Sequence, residues 1–156
     1  MKRYRVERSM SVPVSLQEAF AFFENPHNLA RITPPWLSFR IASPERVKMR
    51  KGAEIDYQIR WLGIQLKWKT VITEYEPPFF FVDEQAAGPY AYWHHRHDFR
   101  PTEYGALVSD RVDYALPFGP LGRLAHRLSV RRQLEAIFDY RENALSGILT
   151  GATMAK

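Results

Sequence analysis

The chain contains no cysteine. That excludes disulfides, thiolate metal sites and a cysteine nucleophile, and it suits a reducing compartment, so a cytoplasmic location is the expectation. No stretch approaches the roughly 20 apolar residues that a membrane-spanning helix needs. The basic start, MKRYRVERSMSV, is not followed by an apolar core, so no signal peptide is expected. There is no G-x-S-x-G elbow, P-loop or dinucleotide fingerprint, which weakens hydrolase, kinase and dehydrogenase readings. Repeats, linkers and low-complexity tracts are also missing. The 156 residues therefore fit one domain, 1–156, with one core.

Aromatic residues are what the chain has in excess: 10 Phe, 8 Tyr and 4 Trp make 14% of it. Large rings suit deep cores and the walls of apolar pockets. The net charge is +5, which favours anionic partners, but spread over a whole domain it is a weak signal. No nucleic-acid motif accompanies it, so nucleic acid is not an expected partner.

The local pattern predicts an α+β order. Tyr4 to Val12 alternates as a strand. Ser15 and Glu18 form a capping box ahead of a helix carrying Phe20, Phe22 and Phe23. Asn25-Pro26 starts a second short helix, which ends before Thr33-Pro34-Pro35. Strands are then expected over Leu37–Ser43, Glu54–Trp61, Gln65–Tyr75, Phe79–Gln85, Tyr92–Phe99 and Ala106–Leu116, joined by short turns as an antiparallel meander. Leu116-Pro117-Phe118-Gly119 ends the sheet. From Leu121 to about Leu149 there is no proline, and Leu124, Leu128, Leu134, Ile137, Phe138, Leu145 and Ile148 recur at helical spacing. A long helix of this kind must bury its stripe, and the inner face of the sheet is the partner on offer.

Chemistry concentrates in Trp93-His94-His95-Arg96-His97-Asp98-Phe99. In a strand, Trp93, His95, His97 and Phe99 share one face. Pairing across the Pro101–Gly105 turn brings Asp110 opposite His95 or His97. The Gly88-Pro89 turn brings Phe81, Asp83 or Gln85 close to His95. Asp83, His95 and Asp110 are therefore candidate catalytic residues, because burial and carboxylate neighbours shift a histidine across neutral pH. His95 is expected within hydrogen-bond reach of a carboxylate and held as the cation unless desolvation wins. The plain alternative is a satisfied polar network inside the sheet. Two histidines and an aspartate would also suit zinc. No third histidine is placed to join them and His94 points to the opposite face, so neither metal nor cofactor is expected.

Trp36, Phe39, Tyr57, Trp68, Phe81, Trp93, His97 and Tyr114 are candidates for the wall of a ligand cavity; the alternative is that the rings fill the core. A cavity of at least roughly 300 Å³ is expected between sheet and last helix. Arg123, His126, Arg127, Arg131 and Arg132 load the start of that helix with positive charge. The alternatives there are a solvated face, weak contact with an anionic membrane surface, and attraction to an acidic ligand group near the pocket mouth.

Asn28-Leu29 with Ile32-Thr33-Pro34, Gly52 to Tyr57, Phe81 to Gln85, Gly88-Pro89-Tyr90, the alternating Trp93, His95, His97 and Phe99, and Asp110, Tyr114 and Leu116–Gly119 together resemble the START/Bet v 1-like (SRPBCC) superfamily. Its bacterial polyketide cyclase/dehydrase-like branch is the most similar. The resemblance implies a helix-grip fold: a curved antiparallel sheet of about seven strands wrapped on a long C-terminal helix, with two short helices after the first strand. It also implies binding of a small hydrophobic ligand such as a lipid, quinone or polyketide. A cyclase or dehydratase working in the same cavity is the alternative, and an adaptor using the basic helix a second. Because such folds are containers, function must be argued from the site.

Overall fold

The computed structural model describes residues 1–43 and 47–154, those beyond 149 as backbone. Seven strands form one antiparallel sheet: β1 (Tyr4–Val12), β2 (Arg40–Ile41), β3 (Glu54–Trp61), β4 (Ile64–Glu76), β5 (Phe80–Ala87), β6 (Tyr92–Thr102) and β7 (Gly105–Ala115). Their spatial order, β1-β7-β6-β5-β4-β3-β2, is a meander closed by β1 returning to β7. Between β1 and β2 lie α1 (Leu16–Glu24), α2 (Pro26–Arg31) and a 3₁₀ turn at Pro35–Leu37. α3 (Gly119–Ala125), a π-helical segment (His126–Val130) and α4 (Arg131–Met154) run on as one C-terminal helix. This is the helix-grip α+β fold.

The local signals act as their chemistry dictates. Ser15 Oγ accepts from the Glu18 amide at 3.2 Å while the Ser15 amide donates to Glu18 Oε2 at 3.0 Å, so α1 starts with two orphan donors satisfied. Asn25 Oδ1 accepts from the His27 amide at 3.0 Å and caps α2. One end of the sheet's inner face is filled by Phe81 and Phe99, packed under Phe20 of α1, with Leu145 and Leu149 of α4. Nearer the start of α4, a second cluster joins Val112, Tyr114, Val130, Leu134 and Phe138.

Two expectations are corrected. The strand over Leu37–Ser43 shrinks to Arg40–Ile41, because Pro34-Pro35 leads into a 3₁₀ turn and Ser38 adopts a left-handed φ of 48°, which breaks the extended chain. The last helix is not α-helical throughout, and Leu124 and Leu128 are outside its buried stripe, at 54% and 65% exposure. The buried positions are Gly122, His126, Val130, Leu134 and Phe138, each four residues on. In a pure α-helix, steps of four drift by about 40° each. The wider π turn absorbs that drift and keeps these side chains on the sheet. Gly122 anchors the arrangement: a Cβ there would lie 2.1 Å from the Pro117 carbonyl oxygen, so only glycine lets α3 fold back so tightly.

Candidate functional site

The sheet's inner face and α4 enclose a partly open cavity of about 200 Å³. β3 and β4 contribute Ile55, Tyr57, Ile59, Trp61, Leu66, Trp68, Thr70 and Ile72, the inward parity of each strand. Phe39, Phe81, Tyr90 and Trp93 extend the aromatic wall, and Leu134, Ile137, Phe138 and Arg141 of α4 close it. The volume is below the expected 300 Å³ because the rings project inward: Trp68 meets Trp93 edge-on at 5.0 Å, and Tyr90 packs on Trp93 at 4.8 Å.

Phe39, Tyr57, Trp68, Phe81, Trp93 and His97 line the cavity; Trp36 and Tyr114 do not. Trp36 rides the 3₁₀ turn and is 48% exposed. Tyr114 faces inward, but its hydroxyl hydrogen-bonds His126 Nε2 at 2.8 Å, and its ring packs against Tyr90 and Trp93 rather than open space. Trp61, Tyr90, Phe138 and Arg141 are wall residues that the sequence reading missed. Arg141 left a signal: it interrupts the apolar series Leu134, Phe138, Leu145 at helical spacing.

One wall is charged. The β5–β6 register sets Asp83 opposite His95, and the β6–β7 register sets His97 opposite Asp110. Strand parity brings all four side chains to the inner face. The strongest bonds run on the diagonals. His95 Nε2–H donates to Asp110 Oδ1 at 2.8 Å, and His97 Nε2–H donates to Asp83 Oδ2 at 2.7 Å. The histidines must be the donors, because an ionised carboxylate only accepts. His97 Nδ1 also lies 3.0 Å from Asp110 Oδ1, at an angle too poor for a hydrogen bond, so that contact is electrostatic. His95 Nδ1 stands 3.6 Å from Asp83 Oδ2.

These contacts divide the histidines. Burial alone would depress His97, but Asp110 and Asp83 outweigh it and lift its pKa to about 9, so it is a cation at neutral pH. For His95, burial and the neighbouring His97 charge win over the carboxylates, and its pKa falls. At His95 desolvation thus wins, the exception allowed for above, and the held cation is His97. Burial would raise both carboxyls, yet the histidines hold Asp83 and Asp110 below the ordinary range. Asp83, His95 and His97 reach the cavity wall, whereas Asp110 does not. Asp110 touches the histidines, so it can act on them but not on a ligand.

Asp83, His95 and His97 also offer ligand atoms within 4.8 Å of one another, close enough for a metal ion. The proton that His97 holds and the Asp83 oxygen that accepts from it would both have to be given up.

A family model described as polyketide cyclase / dehydrase and lipid transport matches residues 12–138. The chain belongs to that family. The polyketide cyclase/dehydrase and lipid transport family thus accounts for the whole sheet beyond β1 and for α4 as far as Phe138. No curated protein matches the chain in sequence. Among solved structures, TTHA0849 from Thermus thermophilus superposes with a TM-score of 0.73 at 14% identity, covering 97% of this chain and 99% of that one. The di-domain ARO/CYC StfQ from the steffimycin biosynthetic pathway gives 0.73 at 16% identity, covering 97% of this chain and 52% of its own. A START superfamily protein from Mycobacterium smegmatis gives 0.68 at 12% identity, with 95% and 98% covered. At such identities the likeness is one of fold. Among the described residues no helix is long and apolar enough to cross a membrane.

Proposed function

We propose that the chain binds a small, largely apolar molecule in the cavity between the sheet and α4. The observation that carries this is the cavity itself: a curved sheet with an almost continuous ring and aliphatic wall, left open rather than filled. Family membership supports the same reading, since its description spans lipid transport and polyketide chemistry. Native mass spectrometry of the purified protein tests it directly, the expected result being a co-purifying small molecule. A thermal-shift screen of lipids, quinones and polyketides is the second arm. Ligand at a hundredfold its Kd should add roughly 2.7 kcal/mol of stability. An empty protein that no compound stabilises would remove the proposal.

One observation favours general acid/base chemistry in the same cavity. His95 is neutral and donates through Nε2, which leaves the Nδ1 lone pair as a base at the wall, with the protonated His97 beside it at a ring-centroid distance of 3.7 Å. In this reading Asp83, His95 and His97 act on the ligand while Asp110 fixes the imidazoles. His95→Gln is the discriminating variant: turnover lost with ligand affinity kept supports a cyclase or dehydratase, and a defect in stability alone refutes it.

A further inference from the structure

Arg141 occupies the inward stripe of α4, between Phe138 and Leu145. It is 8% exposed and lines the cavity. Its Nε and Nη1 are buried without a hydrogen-bond partner. The guanidinium lies over the Phe138 ring, 5.0 Å from its centroid. Asp83 and Asp110 act on it through space, but neither bonds its Nε or Nη1, and one oxygen of each, Asp110 Oδ1 and Asp83 Oδ2, is taken by a histidine. A guanidinium does not shed its proton in a protein, and a buried charge without a partner is costly. This is an unmet cation aimed into an apolar chamber.

We infer that the ligand is an apolar molecule bearing one carboxylate and that Arg141 is the group that receives it, a proposal that rests on the cavity being a ligand site and names the chemistry of what enters. The planar guanidinium fork matches a carboxylate's two oxygens, and such charge-assisted pairs are among the strongest polar contacts a protein makes. Charge balance limits the headgroup to a single negative charge. Two carboxylates against His97 and Arg141, with His95 neutral, leave the empty site uncharged overall. One added negative charge can be offset by a proton on His95; a phosphate dianion would leave a buried charge unanswered. The apolar body of the ligand then lies along Trp68, Trp93 and Phe138, with its carboxylate at the far wall.

The test uses a neutral fluorescent probe, N-phenyl-1-naphthylamine, displaced by decanoic acid or by 1-decanol at neutral pH. Saturable probe binding is the readout of the cavity as a ligand site. Within it, decanoate should displace the probe at a concentration roughly tenfold or more below that of decanol, the worth of a charge-assisted hydrogen bond. Arg141→Met should bring the two competitors to within about twofold of each other, while Arg141→Lys keeps part of the preference. Should the methionine variant not fold, the Arg141 Nε–H resonance of the wild-type protein serves instead: it should move on adding decanoate and stay still with decanol. Probe binding with equal competition by acid and alcohol would overturn the carboxylate proposal and leave the apolar cavity reading standing. So would an acid preference that survives Arg141→Met, or an Arg141 resonance that ignores decanoate. Failure of probe, acid and alcohol alike to bind would overturn both.

Discussion

The two halves of the C-terminal helix invert the usual rule. Its first part carries leucines outward: Leu121, Leu124 and Leu128 are 72%, 54% and 65% exposed. Its second part turns an arginine inward. Hydrophobicity alone would place these residues the other way round. In the first part, Gly122, His126 and Val130 take the inner face, and His126 stacks on Tyr4 at 3.5 Å while bonding Tyr114. In the second, Arg141 faces a cavity whose wall carries Asp83, His95 and His97. Burial here follows what each face of the helix meets. The exceptions to the hydrophobic pattern are therefore the places to test for partners outside the folded core.

The largest expected effect sharpens the inner half. Asp110→Ala strips His95 and His97 of a shared carboxylate and leaves a buried cation poorly paired, at a cost of about 3–5 kcal/mol. Urea denaturation should show it as a lower midpoint at an unchanged slope. Arg132→Ala, on the outer face, should stay within about 0.5 kcal/mol of the parent. Comparable losses from both variants would erase the distinction between the charged inner wall and the outer face of the helix.

The second effect lies in the pH dependence of stability. The folded-state pKa of His97 is raised, so its contribution is complete below its ordinary value of 6.5 and fades as pH climbs through about 9. His95 is depressed, so the unfolded chain binds its proton more readily, and stability falls as pH drops below 6.5. The depressed Asp83 and Asp110 add a further loss as pH falls below 3.8, where the unfolded carboxyls protonate first. Stability should peak near pH 6.5 and decline by a few kcal/mol towards alkaline pH, at about 1.4 kcal/mol per pKa unit. In Asp110→Asn the alkaline limb should flatten. A parent profile flat from neutrality to pH 10 would contradict the charge assignment of His97.

The smallest effect concerns the outer half. We propose that Leu121, Leu124 and Leu128, flanked by Arg123, Arg127 and Arg132, rest weakly on an anionic bilayer surface. No acidic residue lies between Asp113 and Glu135 to oppose that contact. Binding to phosphatidylserine-containing vesicles should weaken severalfold between low and physiological salt, because the charges are screened over about 10 Å at 0.1 M. Leu124→Gln with Leu128→Gln should lower it further and change stability by no more than about 0.5 kcal/mol. Absence of vesicle binding at low salt would leave the outer half a solvated face.

Much of this was legible in the sequence, and the gaps have physical causes. Strand boundaries followed from alternation and turn residues, and β1 matches its expected ends at Tyr4 and Val12. Tyr57 of β3 and Trp68 of β4, named as wall candidates, do line the cavity. Asp83, His95 and Asp110 could be placed together because short hairpins fix register. Which histidine holds the proton could not be read, since that depends on differences of tenths of an ångström among four side chains. Trp36 and Tyr114 were misjudged as wall residues because type and parity say that a ring points inward, not what it then meets. Arg141 was passed over because a charged residue within an apolar stripe reads as an interruption rather than as part of a wall.

The π-helical segment at His126–Val130 has a consequence for descent. A π turn holds one residue more than the α-helix it interrupts. Loss of a single codon from this stretch would restore a plain α-helix and rotate everything before it by about 100° relative to α4. His126 would leave Tyr114, and the outward leucines would swing toward the flank of the sheet. One reading-frame-preserving deletion would thus be enough to turn a different face of the helix to the sheet. Among homologues, the length of the segment between Gly122 and Leu134 should sort the family into chains that display the leucine stripe and chains that hide it.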